Sequence, residues 1–388
     1  MPDGLEPLAA RVRARLRSIH EDRLDRTLRP PSGIDLSSND YLGLSQHPGV
    51  KQAMTEAIAR EGAGSTGSRL LRGDRAVFTD VERQFAAFKG TERALYFSSG
   101  YLANLAVLTT LPEKGDIVFS DERNHASVID AIRLGPAART VFAHRDPDAI
   151  GQPIADYSPS GQVFVVTESL FSMDGDFAPL RKLTALCRVT GAALIVDEAH
   201  AVGVYGMRGS GLIEAMGLDP NACISINTAG KALGVSGAFV AGPAWAIDYL
   251  IQRARPFIFS TAPPPAIAAA LSASLDIVSA EPQRRDNLAT LVDRLRAALT
   301  ASGIPVPKEA SHIIPIPIGD NTRAMAAAQA LQAQGFDVRA IRPPSVPAGT
   351  ARLRISVNTG LDEETIARFS TALAGVLAQQ LTWSAASS

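Results

Sequence analysis

Lys231 lies in the stretch INTAGKALGVSGAF (226–239), where almost every neighbour is Gly, Ala, Ser or Thr. A solvated lysine in a turn needs no such clearing. A lysine that carries a bulky group does, because small neighbours let backbone approach a ligand closely. Other groups able to do chemistry fall at the ends of apolar runs. ALIVDEAH places Asp197 and His200 just past one such run, and QVFVVTES ends at Glu168, with Ser172 and Asp174 following in LFSMDGD. ALYFSSGYLAN ends a strand at Ser98 and Ser99 and opens a helix at Gly100 and Tyr101. DERNHAS brings His125 to a helix start, and CISINT ends at Thr228, shortly before Lys231.

Three chemistries compete for these residues. DEAH is also the acidic box of a family of nucleic-acid helicases, but their ATP chemistry requires a Walker A loop upstream. GAGSTGSR (62–69) has Ser68 where the lysine belongs, and AGKA (229–232) lacks both the spaced glycine and the following Ser or Thr. A metal site built on Asp197 and His200 finds no partner cluster at helical or knuckle spacing, so no metal is expected. The third chemistry fits. Pyridoxal phosphate needs a lysine to form a Schiff base with its aldehyde and a carboxylate to keep its pyridine nitrogen protonated, so that the ring accepts electrons. It also needs a helix N-terminus, whose unpaired N–H groups receive the phosphate.

The elements that must position these residues are legible in the pattern. Apolar runs alternate with helical segments from ALYFSS to GAFVAG, which indicates a mostly parallel sheet between helices, with reactive groups at the C-terminal ends of its strands. Beyond TAPPP (261–265) the pattern changes to long helices with the strands HIIPIPI, GFDVRAI and ARLRISV. The fold class is therefore α/β: a large domain with a mostly parallel sheet and a smaller C-terminal α/β domain. The expected boundaries are 1–45 for an N-terminal helix and segment packing on the small domain, 46–262 for the large domain, and 263–388 for the small one. Leu5, Leu8, Val12, Leu16 and Ile19 give the first helix one apolar face.

Composition excludes several classes. The chain has 388 residues with a net charge of −1, so nothing suggests bulk attraction to nucleic acid or acidic lipid. Cys187 and Cys223 fit a reduced interior better than a disulfide framework. The N-terminus lacks the apolar core of a signal peptide, and no run is long enough to span a bilayer, so a cytoplasmic protein is expected.

Taken in order, SSNDYLGL, SGYLANLAVL, NHAS, VVTESLFSMDGD, VDEAHAVGVYG, TAGKALGVSGA, FSTAPPP and AIRPPSVPAGTARLRISV form a pattern far more specific than any one of them. The chain resembles the α-oxoamine synthase family of fold-type I pyridoxal phosphate enzymes from about residue 16 to about 375. The resemblance implies that Lys231 bonds the cofactor aldehyde and Asp197 pairs with the pyridine nitrogen. It implies that His125 stacks on the ring, His200 bonds its phenolic oxygen, and Ser172 also contacts the cofactor. Thr228 and the backbone at Gly100 and Tyr101 hold the phosphate, and Thr261 reaches the phosphate of a neighbouring subunit, so that a homodimer shares its sites.

The resemblance also implies that Asn39 and Arg354 bind the amino-acid carboxylate, and that Arg26, Arg342 and Ser345 lie on the acyl side. The implied reaction joins L-alanine to a pimeloyl thioester with loss of carbon dioxide, the carrier being coenzyme A or acyl carrier protein. A sibling joining glycine to another acyl-CoA, an aminotransferase and a non-catalytic binding subunit are the alternatives. Tyr101 stands where phenylalanine is familiar in the family and Ser345 where threonine is. Blander roles stay open for Arg26 on a helix face, Ser172 as a turn cap and His200 as a hydrogen-bonding residue. On this reading, the small residues around Lys231 make room for cofactor and substrate.

Overall fold

The computed structural model describes residues 4–156, 161–309 and 311–386. Its strands, in chain order, are β1 (Ile34–Asp35), β2 (Arg93–Phe97), β3 (Ile117–Asp121), β4 (Ala138–Phe142), β5 (Val163–Glu168) and β6 (Ala193–Asp197). They continue with β7 (Cys223–Thr228), β8 (Ala238–Gly242), β9 (Ile313–Gly319), β10 (Phe336–Asp337), β11 (Arg339–Ile341) and β12 (Ala351–Ser356). Two compact units divide the chain: Asn39–Thr290, and Met1–Ser38 together with Leu291–Ser388. The divisions fall at 38/39 and 290/291, where the sequence pattern suggested 45/46 and 262/263.

In the larger unit a seven-stranded sheet has the order β2-β8-β7-β6-β5-β3-β4. All six residues of β5 are buried, as a strand covered on both faces requires. The core gathers Leu95, Phe97, Val166, Ile195, Ile226 and Val240 against the apolar helix Gly100–Thr110. Each such side chain contributes roughly 1.5–3 kcal/mol on burial. The sheet is mostly parallel, as the pattern predicts, and the exception is β8, which runs antiparallel to both β2 and β7. The physical reason is the β7–β8 connection: a loop of residues 229–237 returns the chain directly, whereas a parallel neighbour needs a longer crossover. Strands β3, β5, β6 and β7 are mutually parallel, so His125, Glu168, Asp197 and Lys231 emerge along one edge.

Packing explains part of the small-residue run around Lys231. Gly234 has φ +66°, and a Cβ there would stand 2.4 Å from the Ser45 amide nitrogen. Gly237 has φ +95°, with a Cβ 2.3 Å from Tyr96 Oη. Ala229, Ala232 and Leu233 are buried. Gly234 and Gly237 are small because other parts of the protein press against the loop, whereas Gly230, beside Lys231, is exposed, and a Cβ there would meet nothing closer than 3.9 Å.

In the smaller unit β9, β12 and β11 form an antiparallel sheet, and β1 pairs in parallel with β10. Arg354 lies in the buried strand β12. The helix Glu6–Glu21 forms as its spacing predicts, but none of its residues is buried, and Leu5, Leu8, Val12, Leu16 and Ile19 are all exposed. The apolar face expected to pack on the small domain is therefore uncovered within this chain.

Gly234→Ala tests the packing of the Lys231 turn against Gly191→Ala, a site with φ +73° and nothing within 4 Å of the added Cβ. Left-handed backbone costs roughly 1–2 kcal/mol at either position, and overpacking adds roughly 1–3 kcal/mol at Gly234 alone. Denaturant unfolding should rank Gly234→Ala clearly below Gly191→Ala. Equal losses would contradict the packing account.

Candidate active site

Lys231 follows β7 and is half-buried, with Nζ 2.7 Å from His200 Nε2. On the far side of that ring, His200 Nδ1 lies 2.7 Å from Tyr41 Oη, which donates to Asn39 Oδ1 at 2.9 Å. Because the tyrosine proton goes to Asn39, Nδ1–H donates to Tyr41, and Nε2 is left to accept from the lysine. One chain of hydrogen bonds thus orients the lysine amine. Tyr41 is fully buried, and the sequence reading missed its part in the site. Its signal was present in SSNDYLGL, two residues beyond Asn39.

Asp197 ends β6, 6% exposed, and both its carboxylate oxygens accept: Oδ1 from the Ala199 amide at 2.9 Å and Oδ2 from Asn104 Nδ2 at 2.8 Å. The same Asn104 nitrogen lies 3.0 Å from Ser127 Oγ, which is 2.8 Å from His125 Nδ1. His125 caps the helix Ala126–Leu134, its ring accepting from the Ser127 amide. Loss of solvent pushes the His125 pKa below that of a free imidazole; the charge on Asp197 opposes this and that on Lys231 reinforces it. Asn104 and Ser127 also went unassigned from sequence, although an asparagine inside the apolar helix GYLANLAVLTT was a visible sign.

Glu168 ends β5 directly beside Asp197 in register. Burial, then the negative charge of Asp197, push its carboxyl up to about 8, against the charge of Lys231 and a hydrogen bond from the His125 backbone. Past β5, buried Ser172 sits in the loop before Asp176. His144 bridges that loop to the end of β3, with Nε2 3.0 Å from Asp176 and Nδ1 2.9 Å from Asp121. Burial alone would lower its pKa, but the two carboxylates outweigh that and push it up to about 9.

The helix Gly100–Thr110 is capped by Ser99, whose side chain accepts from the Leu102 amide. The amides of Gly100 and Tyr101 head the helix, where N–H groups have no intrahelical partner. Gly100 is required here, since a Cβ would stand 2.4 Å from Thr228 Oγ1. Tyr101 turns its own side chain away, Oη donating to Asp130 at 2.6 Å. Thr261 is exposed, just before Ala262 donates its amide to Gly67 O at 2.9 Å.

The smaller unit holds the remaining candidates. Arg26 donates to Pro343 O at 3.1 Å, and Arg342 donates to the carbonyls of Arg23 and Asp25. These two guanidiniums clip the segment near residue 25 to the loop near residue 343. Ser345 is exposed in the same loop, and Arg354 Nη1 donates to Ser356 Oγ at 2.7 Å. Among the described residues no group of three or more His, Cys, Asp or Glu could hold a metal ion.

The family model for aminotransferase class I and II matches residues 31–373. An 8-amino-7-oxononanoate synthase of Anaeromyxobacter sp. (strain K) is 48% identical over 345 residues, covering 89% of this chain and 86% of that protein. One from Burkholderia vietnamiensis is 43% identical, covering 95% and 94%. The chain belongs to the α-oxoamine synthases, beside the 8-amino-7-oxononanoate synthases. Among solved structures, serine palmitoyltransferase from S. paucimobilis superposes with a TM-score of 0.88 at 29% identity, covering 96% of this chain and 98% of that one. The 8-amino-7-oxononanoate synthase of Francisella tularensis gives 0.78 at 30%, covering 90% and 99%. Backbone likeness therefore spans α-oxoamine synthases with different named products, while sequence identity favours the oxononanoate branch.

The residues present fit the cofactor of this family. A buried strand-end carboxylate is held on both oxygens, and the start of the helix at Gly100 lies so close to Thr228 Oγ1 that a single Cβ would collide with it. Glu168 gives a test of the site's electrostatics. The unfolded chain ionises this carboxyl above about 4.5, whereas the folded chain keeps the proton to about 8, so stability falls as pH rises through that window. Glu168→Gln, which mimics the neutral acid, should raise the melting temperature at pH 8 and leave it nearly unchanged at pH 5. The scale is ~2–4 °C for each kcal/mol recovered. An equal change at both pH values would mean that the carboxyl is not held neutral.

Proposed function

We propose that this chain condenses L-alanine with a pimeloyl thioester, releasing carbon dioxide and the thiol, to form 8-amino-7-oxononanoate in biotin biosynthesis. The observation that carries the reading is that adjacent strands β6 and β7 lead to a buried carboxylate, Asp197, and to a lysine amine oriented by His200. Identity to 8-amino-7-oxononanoate synthases over most of the chain selects the substrates.

Pyridoxal phosphate, bound here, supplies an aldehyde for an amine and an electron-poor ring that draws charge from the amino acid's α-carbon. Lys231 is assigned to hold it, and the freed Nζ to take the α-proton of alanine. A lysine of ordinary pKa, about 10.4, is mostly protonated at neutral pH. The acceptor nitrogen of His200, at 2.7 Å, is where a proton on Nζ is directed. Asp197 is assigned to the ring nitrogen, whose proton its negative charge retains, and His200 to the phenolic oxygen as well. His125 is assigned to stack on the ring face and to assist acyl transfer, and Ser172 to a further contact.

Thr228 Oγ1 and the amides of Gly100 and Tyr101 are assigned to the phosphate, a use of helix N-termini that follows from their unpaired donors. Asn39 and Arg354 are assigned to the alanine carboxylate, and Arg26, Arg342 and Ser345 to the acyl side. Thr261 is assigned to the phosphate of the neighbouring subunit in a homodimer, on the likeness of FSTAPPP to the family segment. The thiol carrier, coenzyme A or acyl carrier protein, binds only as the acyl donor in this reading. A cytoplasmic setting is supported by two buried, unpaired cysteines.

The experiment is a competition between L-alanine with pimeloyl thioester and glycine with acetyl-CoA, followed by thiol release. One methyl group discriminates alanine from glycine by only ~1–3 kcal/mol, but the longer acyl chain adds roughly 0.8 kcal/mol per buried CH₂. The alanine and pimeloyl pair should win by orders of magnitude in kcat/KM, and Lys231→Ala should lose nearly all turnover. A win for glycine with the short acyl-CoA would move the chain to a sibling branch.

A further inference from the structure

The hydrogen bonds joining His125 to Asp197 have directions that chemistry fixes. A carboxylate only accepts, so Asn104 must turn Nδ2 toward Asp197 Oδ2, at 2.8 Å. The second hydrogen of that nitrogen is directed to Ser127 Oγ, at 3.0 Å. The hydroxyl accepts there, which leaves its own proton for His125 Nδ1, 2.8 Å away. The Ser127 backbone N–H, a donor only, meets the same Nδ1 at 3.2 Å. Two donors aimed at one ring nitrogen leave it no place for a proton.

We propose that Ser127, oriented by Asn104, is a positioning residue that holds His125 as the neutral imidazole protonated on Nε2. In that form it presents a hydrogen-bond donor to a substrate oxygen, that of the acyl thioester carbonyl. The donor role rests on the function proposed above; the tautomer follows from the hydrogen bonds alone. Protonating Nδ1 would break both donated bonds and uncap the helix Ala126–Leu134. The charged groups around the ring divide: Asp197 and Asp130 favour the imidazolium, while burial and Lys231 oppose it. Glu168 faces the His125 backbone, where it accepts a hydrogen bond.

The chain has six histidines, so the full-length protein labelled with ¹⁵N at histidine can be followed ring by ring by NMR. The His125 signal is assigned by its loss in His125→Gln. With pyridoxal phosphate bound, and again after its removal, His125 should carry its proton on Nε2 alone at neutral pH and titrate below 6.5, the unperturbed imidazole value. A proton on Nδ1 at neutral pH in the unmutated protein overturns the proposal, whatever the variants do.

Ser127→Ala should make the Nδ1–H form detectable and move the titration toward 6.5, and Ser127→Thr should restore both readings. Asn104→Ala, which frees the hydroxyl to turn away, should shift them in the same direction by less. If Ser127→Ala leaves tautomer and midpoint unchanged, Ser127 does not position the ring. Thiol release from alanine and pimeloyl thioester on the same samples reports the proposed function separately, since ring state and turnover can fail independently.

Discussion

Burying the carboxylate of Asp197 is the constraint on which the rest of the site depends. A charge at 6% exposure is tolerable only when its oxygens are hydrogen-bonded. The Ala199 amide supplies one donor from the turn after β6, and Asn104 the other from the helix Gly100–Thr110. Supplying the second donor fixes that helix against the strand ends. The N-terminus of the same helix brings the Gly100 amide beside Thr228. Glu168, next in register, is forced neutral by burial and by the charge beside it. A single buried carboxylate thereby adds to the burial that keeps one neighbour protonated, and it helps to place two other parts of the site.

The lysine turn answers to a different demand. Its glycines adopt left-handed backbone at Gly234 and Gly237, pressed against Ser45 and Tyr96. A turn gripped in this way holds Lys231 against His200, whose far nitrogen is in turn fixed by Tyr41. The amine is positioned by packing from behind and by a hydrogen-bond chain in front. Preorganisation of this kind is what a proton transfer at a stated atom requires.

The strand-end residues were legible because apolar runs are easy to read, and a polar residue that closes such a run stands out. Asp197, His200, Glu168 and Thr228 were found in that way, and family motifs ordered them. Tyr41, Asn104 and Ser127 were not, because their significance lies in partners far away in sequence: Asn104 meets Asp197 only after the sheet has formed. The antiparallel course of β8 was hidden for a similar reason, since an apolar run reads alike in either direction. The small residues near Lys231 were ambiguous, because close approach of a ligand and close approach of the protein itself leave the same composition, and only Gly234 and Gly237 are pressed by the protein. Arg26 and Arg342 show the limit from the other side: their guanidiniums are bound to backbone carbonyls, a use that no motif announces.

The likeness to serine palmitoyltransferase, with a TM-score of 0.88, means that the backbone alone does not choose the acyl substrate. What relatives of this fold have to share is the means of loosening an α-proton, and the function proposed above gives that work to Asp197 at the ring nitrogen and Lys231 at the α-proton. Asp197→Asn keeps the shape and removes the charge, so exchange of the alanine α-proton with deuterated water in the cofactor-loaded variant isolates the part proposed for that charge. The variant should retain cofactor and exchange the α-proton several orders of magnitude more slowly. Exchange near the unmutated rate, with cofactor bound, would contradict that role for Asp197.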